Sequence, residues 1–250
     1  NGGDDGASFS TGVNDQKGGM NSPTVLNAVF NFRQFWNGRA KNLREQAAGP
    51  IQNPVEMAMS IEEVEKRLNE DENYRKQFKA LYKRKRIVFD DVIDAIVEFE
   101  KALVTPDSPF DKYLRGEGEL AADARRGYTL FKRLGCVSCH NGKNVGGNSF
   151  QYFGVVKEVE WNGKYDDLFK ISKNPFDKNR FKVPTLRNVE KTAPYFHDGS
   201  VSDLRAAVVF MSRKNLGNEL TEKEIDQIVA FVKSLTGKTP EILQENASKN

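Results

Sequence analysis

Residues 135–142 read Gly-Cys-Val-Ser-Cys-His-Asn-Gly. Two cysteines separated by two residues, with a histidine directly after, form the pattern of covalent haem c attachment. The spacing follows from the chemistry. The thiols of Cys136 and Cys139 add across the two vinyl groups of the macrocycle as thioethers, and His140 then lies beneath the iron as its proximal ligand. The motif takes both cysteines and one of the two histidines in the chain. A thioredoxin-like redox pair is the first alternative, and it expects a βαβ setting that the surrounding sequence lacks. A zinc site is the second, and it needs more ligands than the motif offers, with His197 the other soft candidate.

The 250 residues are 38% hydrophobic and 29% charged, which describes a globular chain of one or two domains. A formal net charge of +3 is too mild to argue for nucleic acid. No apolar run is long enough to span a membrane. Haem c attachment implies an extracytoplasmic, periplasmic location. The chain opens on Asn-Gly-Gly-Asp-Asp, so a signal peptide is expected to have been removed or never included.

Helical signals dominate, and the fold class expected is all-α. Residues 1–22, rich in Gly, Asn, Asp and Ser, predict loop. Ser60 with Glu63 predicts a capping box. From Val88 to Val104, the residues Phe89, Val92, Ile93, Ile96, Val97, Phe99 and Leu103 recur at helical spacing and predict the best buried helix of the first half. Pro106, Ser108 and Pro109 then break the chain, dividing it into domains 1–105 and 106–250. Ala122 to Leu134 predicts a helix that Gly135 ends, delivering the cysteines to the next turn. Residues 141–182 show no strong period and predict a long loop wrapped over a cofactor. Ser202 predicts the cap of a helix running through Met211. Thr221 and Glu224 predict a capping box for a helix that Gly237 closes. Helix, haem motif, long loop, Met-bearing helix and terminal helix are the order of a cytochrome c domain.

The sixth ligand of such an iron could be His197 or one of Met20, Met57, Met59 and Met211. Met211 lies beyond the long loop, on a helical face shared with Leu204 and Val208. It is either plain core or the thioether ligand that raises a haem potential. His197, in Pro194-Tyr195-Phe196-His197-Asp198-Gly199, is a ligand, a propionate partner or a structural residue. Its aromatic surroundings favour the packed, hydrogen-bonded role.

Several runs resemble the bacterial di-haem cytochrome c peroxidases. They are 21–27 (Asn-Ser-Pro-Thr-Val-Leu-Asn), 34–40 (Gln-Phe-Trp-Asn-Gly-Arg-Ala), 49–57 (Gly-Pro-Ile-Gln-Asn-Pro-Val-Glu-Met), 181–188 (Phe-Lys-Val-Pro-Thr-Leu-Arg-Asn) and 194–199. The wider group includes MauG-type enzymes, which oxidise protein side chains and place a Tyr where Met211 stands, so Met211 favours the peroxidase branch. The resemblance implies two cytochrome c-like helical domains, the first incomplete in this chain. It implies reduction of hydrogen peroxide to water, with electrons from a small donor, a cytochrome c or a cupredoxin. They enter at the His140/Met211 haem and pass to a peroxidatic haem in the N-terminal domain. Trp36 matches a Trp between the haems. Gln46 and Glu56 match a distal Gln and Glu. Without the resemblance both are expected at the surface. With it, the carboxylate carries a proton between the peroxide oxygens and the amide orients the peroxide. A calcium ion between the domains is implied, held by the Asn21 side chain and by carbonyls at Thr192 and Pro194. A homodimer is implied as well.

Two departures follow. The family carries two Cys-x-x-Cys-His motifs and this chain has one, so one haem is expected here and two in the intact protein. The break falls near Gly2-Gly3-Asp4, and the 250-residue chain alone is expected to be inactive as a peroxidase. An electron-transfer c-type cytochrome without peroxidase activity is the alternative function. Many members also carry a His that caps the peroxidatic iron in the loop matching Ser10–Gly18, where this chain has Val13. The peroxide site is therefore open, capped by another residue, or altered here.

Overall fold

The computed structural model describes residues 3–247, so Asn1 and Gly2 of the opening segment lie outside them. Among the described residues the chain forms ten α-helices and one small antiparallel sheet. The all-α expectation holds, and the order of elements follows from local signals. Helix α1 (Leu43–Gln52) starts where the Asn42 side chain accepts the Glu45 N–H at 2.9 Å. Helix α2 (Ile61–Glu70) starts at Ser60, whose hydroxyl accepts the Glu63 N–H at 3.1 Å. The expected box is only half formed, because the Glu63 carboxylate turns to Arg67 at 2.6 Å. Asp71 caps α3 (Glu72–Tyr82), and α4 (Phe89–Ala102) follows. A first core gathers Ala28, Leu43, Ala47, Ile51, Val64, Ile93 and Val97.

In α4 the periodicity sets the faces but not what covers them. Ile93 and Val97 are buried, whereas Phe99 falls nearly opposite Val97 and is 42% exposed. The 106–109 break carries the start of α5 (Pro109–Leu114). Ser108 and Asp111 form a reciprocal box there, with Pro109 in the first turn, where its missing N–H costs nothing.

Helix α6 (Ala122–Arg133) crosses α9 (Glu222–Lys233) at close range. A Cβ on Gly127 would lie 1.8 Å from the Gln227 carbonyl oxygen, so only a bare α-carbon permits this approach. Phe231, 1% exposed, fills the crossing against the rings of Phe110, Tyr128 and Phe131. The Thr221–Glu224 box forms as expected. Helix α8 (Leu204–Asn215) is capped by Asp203, which accepts the Ala206 N–H at 2.7 Å, and not by Ser202 one residue earlier. The 141–182 stretch is more structured than a loop. Strand β1 (Phe150–Tyr152) pairs with β2 (Arg180–Lys182), and α7 (Phe169–Ser172) lies between them. Strands of three residues are too short to show alternation in sequence. Helix α10 (Glu241–Ala247) closes the described chain.

The two halves repeat each other. With Pro23 paired to Pro184 and the count continued, Asn27 meets Asn188, Phe35 meets Phe196 and Gly38 meets Gly199. The backbone agrees. Asn27 and Asn188 are both left-handed (φ 60° and 61°), and each caps a single 3-10 turn, Ala28–Phe30 and Val189–Lys191. Phe35 and Phe196 both have positive φ. The bridges Gln34–Ala40 and Tyr195–Val201 coincide, as do the caps Asn42 and Asp203. Helix α1 thus repeats α8, and each packs on the long helix of its half, α4 or α9.

Candidate haem centre

Gly135 ends α6 with φ +91°, a conformation costly for any residue with a Cβ. The reversal starts a tight turn in which the Cys139 and His140 N–H groups both donate to the Cys136 carbonyl, at 3.2 and 2.9 Å. Cys136, Cys139 and His140 therefore emerge together. They line a mostly apolar cavity that opens to solvent. Phe131 of α6, Leu134 just beyond it, Met211 of α8 and Val232 of α9 supply much of its apolar wall.

The turn is fixed from behind. Gly146 has φ +132°, and a Cβ there would lie 2.1 Å from the Pro184 carbonyl oxygen. That bare position lets Pro184 approach until its carbonyl, with that of Val145, stands beside the His140 ring. His140 is half-buried, and desolvation of its ring pushes its pKa down to about 4 against those two carbonyls. The ring is thus neutral and keeps a lone pair for a metal. Its Nδ1 is buried without a hydrogen bond of good geometry. Burial pushes the Cys136 thiol up to about 11. A thioredoxin-like pair depends on a lowered thiol pKa, so this alternative does not fit. Among the described residues no three or more His, Cys, Asp or Glu side chains are grouped so as to hold a metal ion.

The residues present therefore fit a haem c. Two cysteines and a neutral histidine line a mostly apolar cavity, and the Met211 thioether lines the same space from α8. Leu204, Val208 and Met211 do share the face seen in the sequence. His197 lies elsewhere. It is 6% exposed and stacks on Phe181 at 4.2 Å, with Tyr165 at 4.8 Å and Phe153 at 5.0 Å. This is the packed role, built from aromatic contacts.

Trp36 also lines the cavity. Its indole N–H donates to the Asn21 carbonyl at 2.9 Å, and its own carbonyl accepts the Lys182 N–H at 2.7 Å. It meets His197 edge-on at 6.3 Å, and the two occupy equivalent positions in the repeated loop. Asn21, Thr192 and Pro194 border the same cavity, and the Asn21 amide is oriented by donating to the Ala7 carbonyl at 2.9 Å.

Gln46 and Glu56 lie apart from this cavity, both half-buried and so not the plain surface residues their types suggest. Gln46 sits in α1 at the position equivalent to Ala207 of α8, which lines the cavity of the second half. Its Oε1 is buried and unpartnered. Glu56 accepts from Asn53 Nδ2 at 2.8 Å. No hydrogen bond joins Gln46 to Glu56 among the described residues. Arg39, stacked on Phe35 at 3.4 Å, is drawn electrostatically to Glu56 and Asp166. Its signal in the sequence, one arginine after a turn glycine, was too slight to single it out. Val13 donates its N–H to the Glu56 carbonyl at 2.8 Å, and a Cβ on Gly12 would meet the Val55 carbonyl at 2.1 Å, so the 10–18 loop is folded onto the Glu56 turn.

A helical fold closed by an α6–α9 crossing over a Cys-x-x-Cys-His cavity defines a c-type cytochrome module. Residues 124–236 match the family description "Cytochrome c", and residues 1–119 match "Di-haem cytochrome c peroxidase". The chain is 48% identical over 241 residues to the cytochrome c551 peroxidase of Nitrosomonas europaea, spanning 96% of this chain and 72% of that protein. It is 46% identical to the cytochrome c peroxidase of Escherichia coli, covering 94% of this chain and 52% of that protein. A crystal structure of a MauG-like protein associated with microbial copper homeostasis superposes with a TM-score of 0.82. That match covers 93% of this chain and 80% of the other at 27% identity. The chain belongs to the di-haem cytochrome c peroxidase family.

Proposed function

We propose that the intact protein reduces hydrogen peroxide to water with electrons from a small redox protein, a cytochrome c or a cupredoxin, in the periplasm. The observation that carries the reading is the cavity shared by Cys136, Cys139, His140 and Met211 with Trp36 on its border. The haem supplies reversible one-electron chemistry when bound. Cys136 and Cys139 anchor it, His140 offers a neutral ring nitrogen, and Met211 offers a thioether that favours the reduced metal. Trp36, held through its indole N–H and its carbonyl, offers a rigid aromatic step toward the first half.

The internal repeat supports a second haem in the first half, although the attachment motif for it is not among these 250 residues. Gln46 has its amide oxygen unpartnered, and its amide is the group to orient peroxide. Glu56 moves the proton from the near to the far oxygen. Arg39, drawn electrostatically to Glu56, orients that carboxylate. Val13, in place of a histidine, offers no ligand to the iron, so the peroxide site needs no reductive release of one. A calcium ion held by Asn21 Oδ1 and the carbonyls of Thr192 and Pro194 suits hard oxygen donors. A homodimer completes the reading, and 1–105 and 106–250 are its two domains.

A pyridine haemochrome assay with intact mass on the full-length protein, followed by peroxide turnover, tests it. Two haems and turnover are expected. One haem with electron transfer and no turnover would establish the plain cytochrome reading.

A further inference from the structure

Lys182 ends β2 and is 4% exposed. Lysine is almost never buried this far without a partner. Burial pushes its pKa down to about 8, with no acidic neighbour opposing the shift. Taking an ammonium out of water costs several kcal/mol unless an anion compensates. Among the described residues no anion is found to compensate it, yet the position is well built. Alternate side chains of a strand point to opposite faces. Phe181 stacks on His197, while Lys182 borders the haem cavity. Its N–H is tied to the Trp36 carbonyl at 2.7 Å, which places it on the Trp36 side of that cavity. The repeat sharpens the point, because the equivalent residue in the first half is the neutral Asn21. The charge belongs to the second half alone.

A buried cation beside a cavity implies that the ligand brings the anion. A haem carries two propionate carboxylates. We propose that Lys182 pairs with a propionate of the haem held by Cys136, Cys139 and His140, on the edge facing Trp36. It is a positioning residue that fixes this edge toward Trp36 and raises the potential of the haem. The inference rests on the haem reading above.

The test uses the haem-loaded full-length protein. Lys182→Met leaves the carboxylate uncompensated, which favours ferric iron. The potential of the His140-ligated haem should fall by at least a tenfold step in the ferric/ferrous equilibrium, 59 mV for one electron. The other haem should keep its potential, and the propionate bending band in resonance Raman should move. Lys182→Arg should restore the potential while shifting the band. Full haem content with unchanged potential and unchanged band in Lys182→Met overturns the proposal, as does a shift confined to the other haem. Should Lys182→Met not assemble, Lys182→Arg decides alone, and an unmoved band overturns the proposal. Failure of the haem reading itself would show earlier, as polypeptide without covalent haem in the haemochrome assay.

Discussion

Asn27 and Asn188, equivalent residues of the two halves, donate their side-chain amides to one acceptor, Thr105 Oγ1, at 2.7 and 3.0 Å. All three are buried. Each amide oxygen accepts a backbone N–H in turn, Asn27 from Thr105 and Asn188 from Gly237. The halves are thus joined by a satisfied polar network. Thr105→Val keeps the shape and strands two buried donors. Each costs roughly 1–3 kcal/mol, so urea unfolding should show a loss of about 3 kcal/mol.

Gly127→Ala should force α6 from α9, because the added methyl has the Gln227 carbonyl in its place. Overpacking costs about 1–3 kcal/mol. Thermal unfolding should show the loss, and the fraction of polypeptide carrying haem should fall with it.

Met211→His should lower the potential of the haem in this cavity, on the order of 100 mV within the roughly 0.8 V that axial ligands span. Redox titration measures it. An unchanged potential would count against ligation by Met211.

Glu56→Gln keeps size and removes the proton carrier. Peroxide turnover of the intact protein should drop by about two to four orders of magnitude, the scale of general acid–base help. Donor oxidation at the other haem should be untouched, which stopped-flow spectroscopy separates. Full turnover in this variant would sink the assignment.

Asp111 receives both guanidinium nitrogens of Arg187 at 2.7 and 2.9 Å, tying α5 to the loop that carries Thr185 and Leu186. Burial opposes the Asp111 charge, but Arg187 and Ser108 outweigh it and hold the carboxyl below its ordinary value. A carboxylate with a depressed pKa stabilises above its unfolded pKa of about 3.9, and that contribution disappears as pH falls through the folded value. Asp111→Asn should therefore cost about 2 kcal/mol at pH 7. The gap to the unaltered protein should close below about pH 4 in a pH series of denaturation curves.

What the sequence disclosed depended on how local each signal is. The haem turn, the Thr221 box and the α6 and α9 periods each sit within a few residues, and all were legible. Helix α1 was not, because Gly49 and Pro50 blur its second half. Ser202 and Asp203 are adjacent cap candidates, and only geometry separates them. The repeat was readable in principle from Pro-Thr, Asn, Phe and Gly at matched spacing in 23–38 and 184–199. Its few identities hide in unlike neighbours. Lys182 could not be found this way, since a lysine in a strand looks like a solvated one until its burial is known.

The α6–α9 crossing joins stretches that are remote along the chain, Asp123 reaching Gln227 among other contacts. Long-range closures form late and exact their entropy before any contact compensates. During synthesis, the turn carrying Cys136, Cys139 and His140 emerges well before α9 exists to cover it. A chain not yet folded therefore presents its cysteines on an open shelf, and α9 is the latch whose docking on α6 closes the cavity.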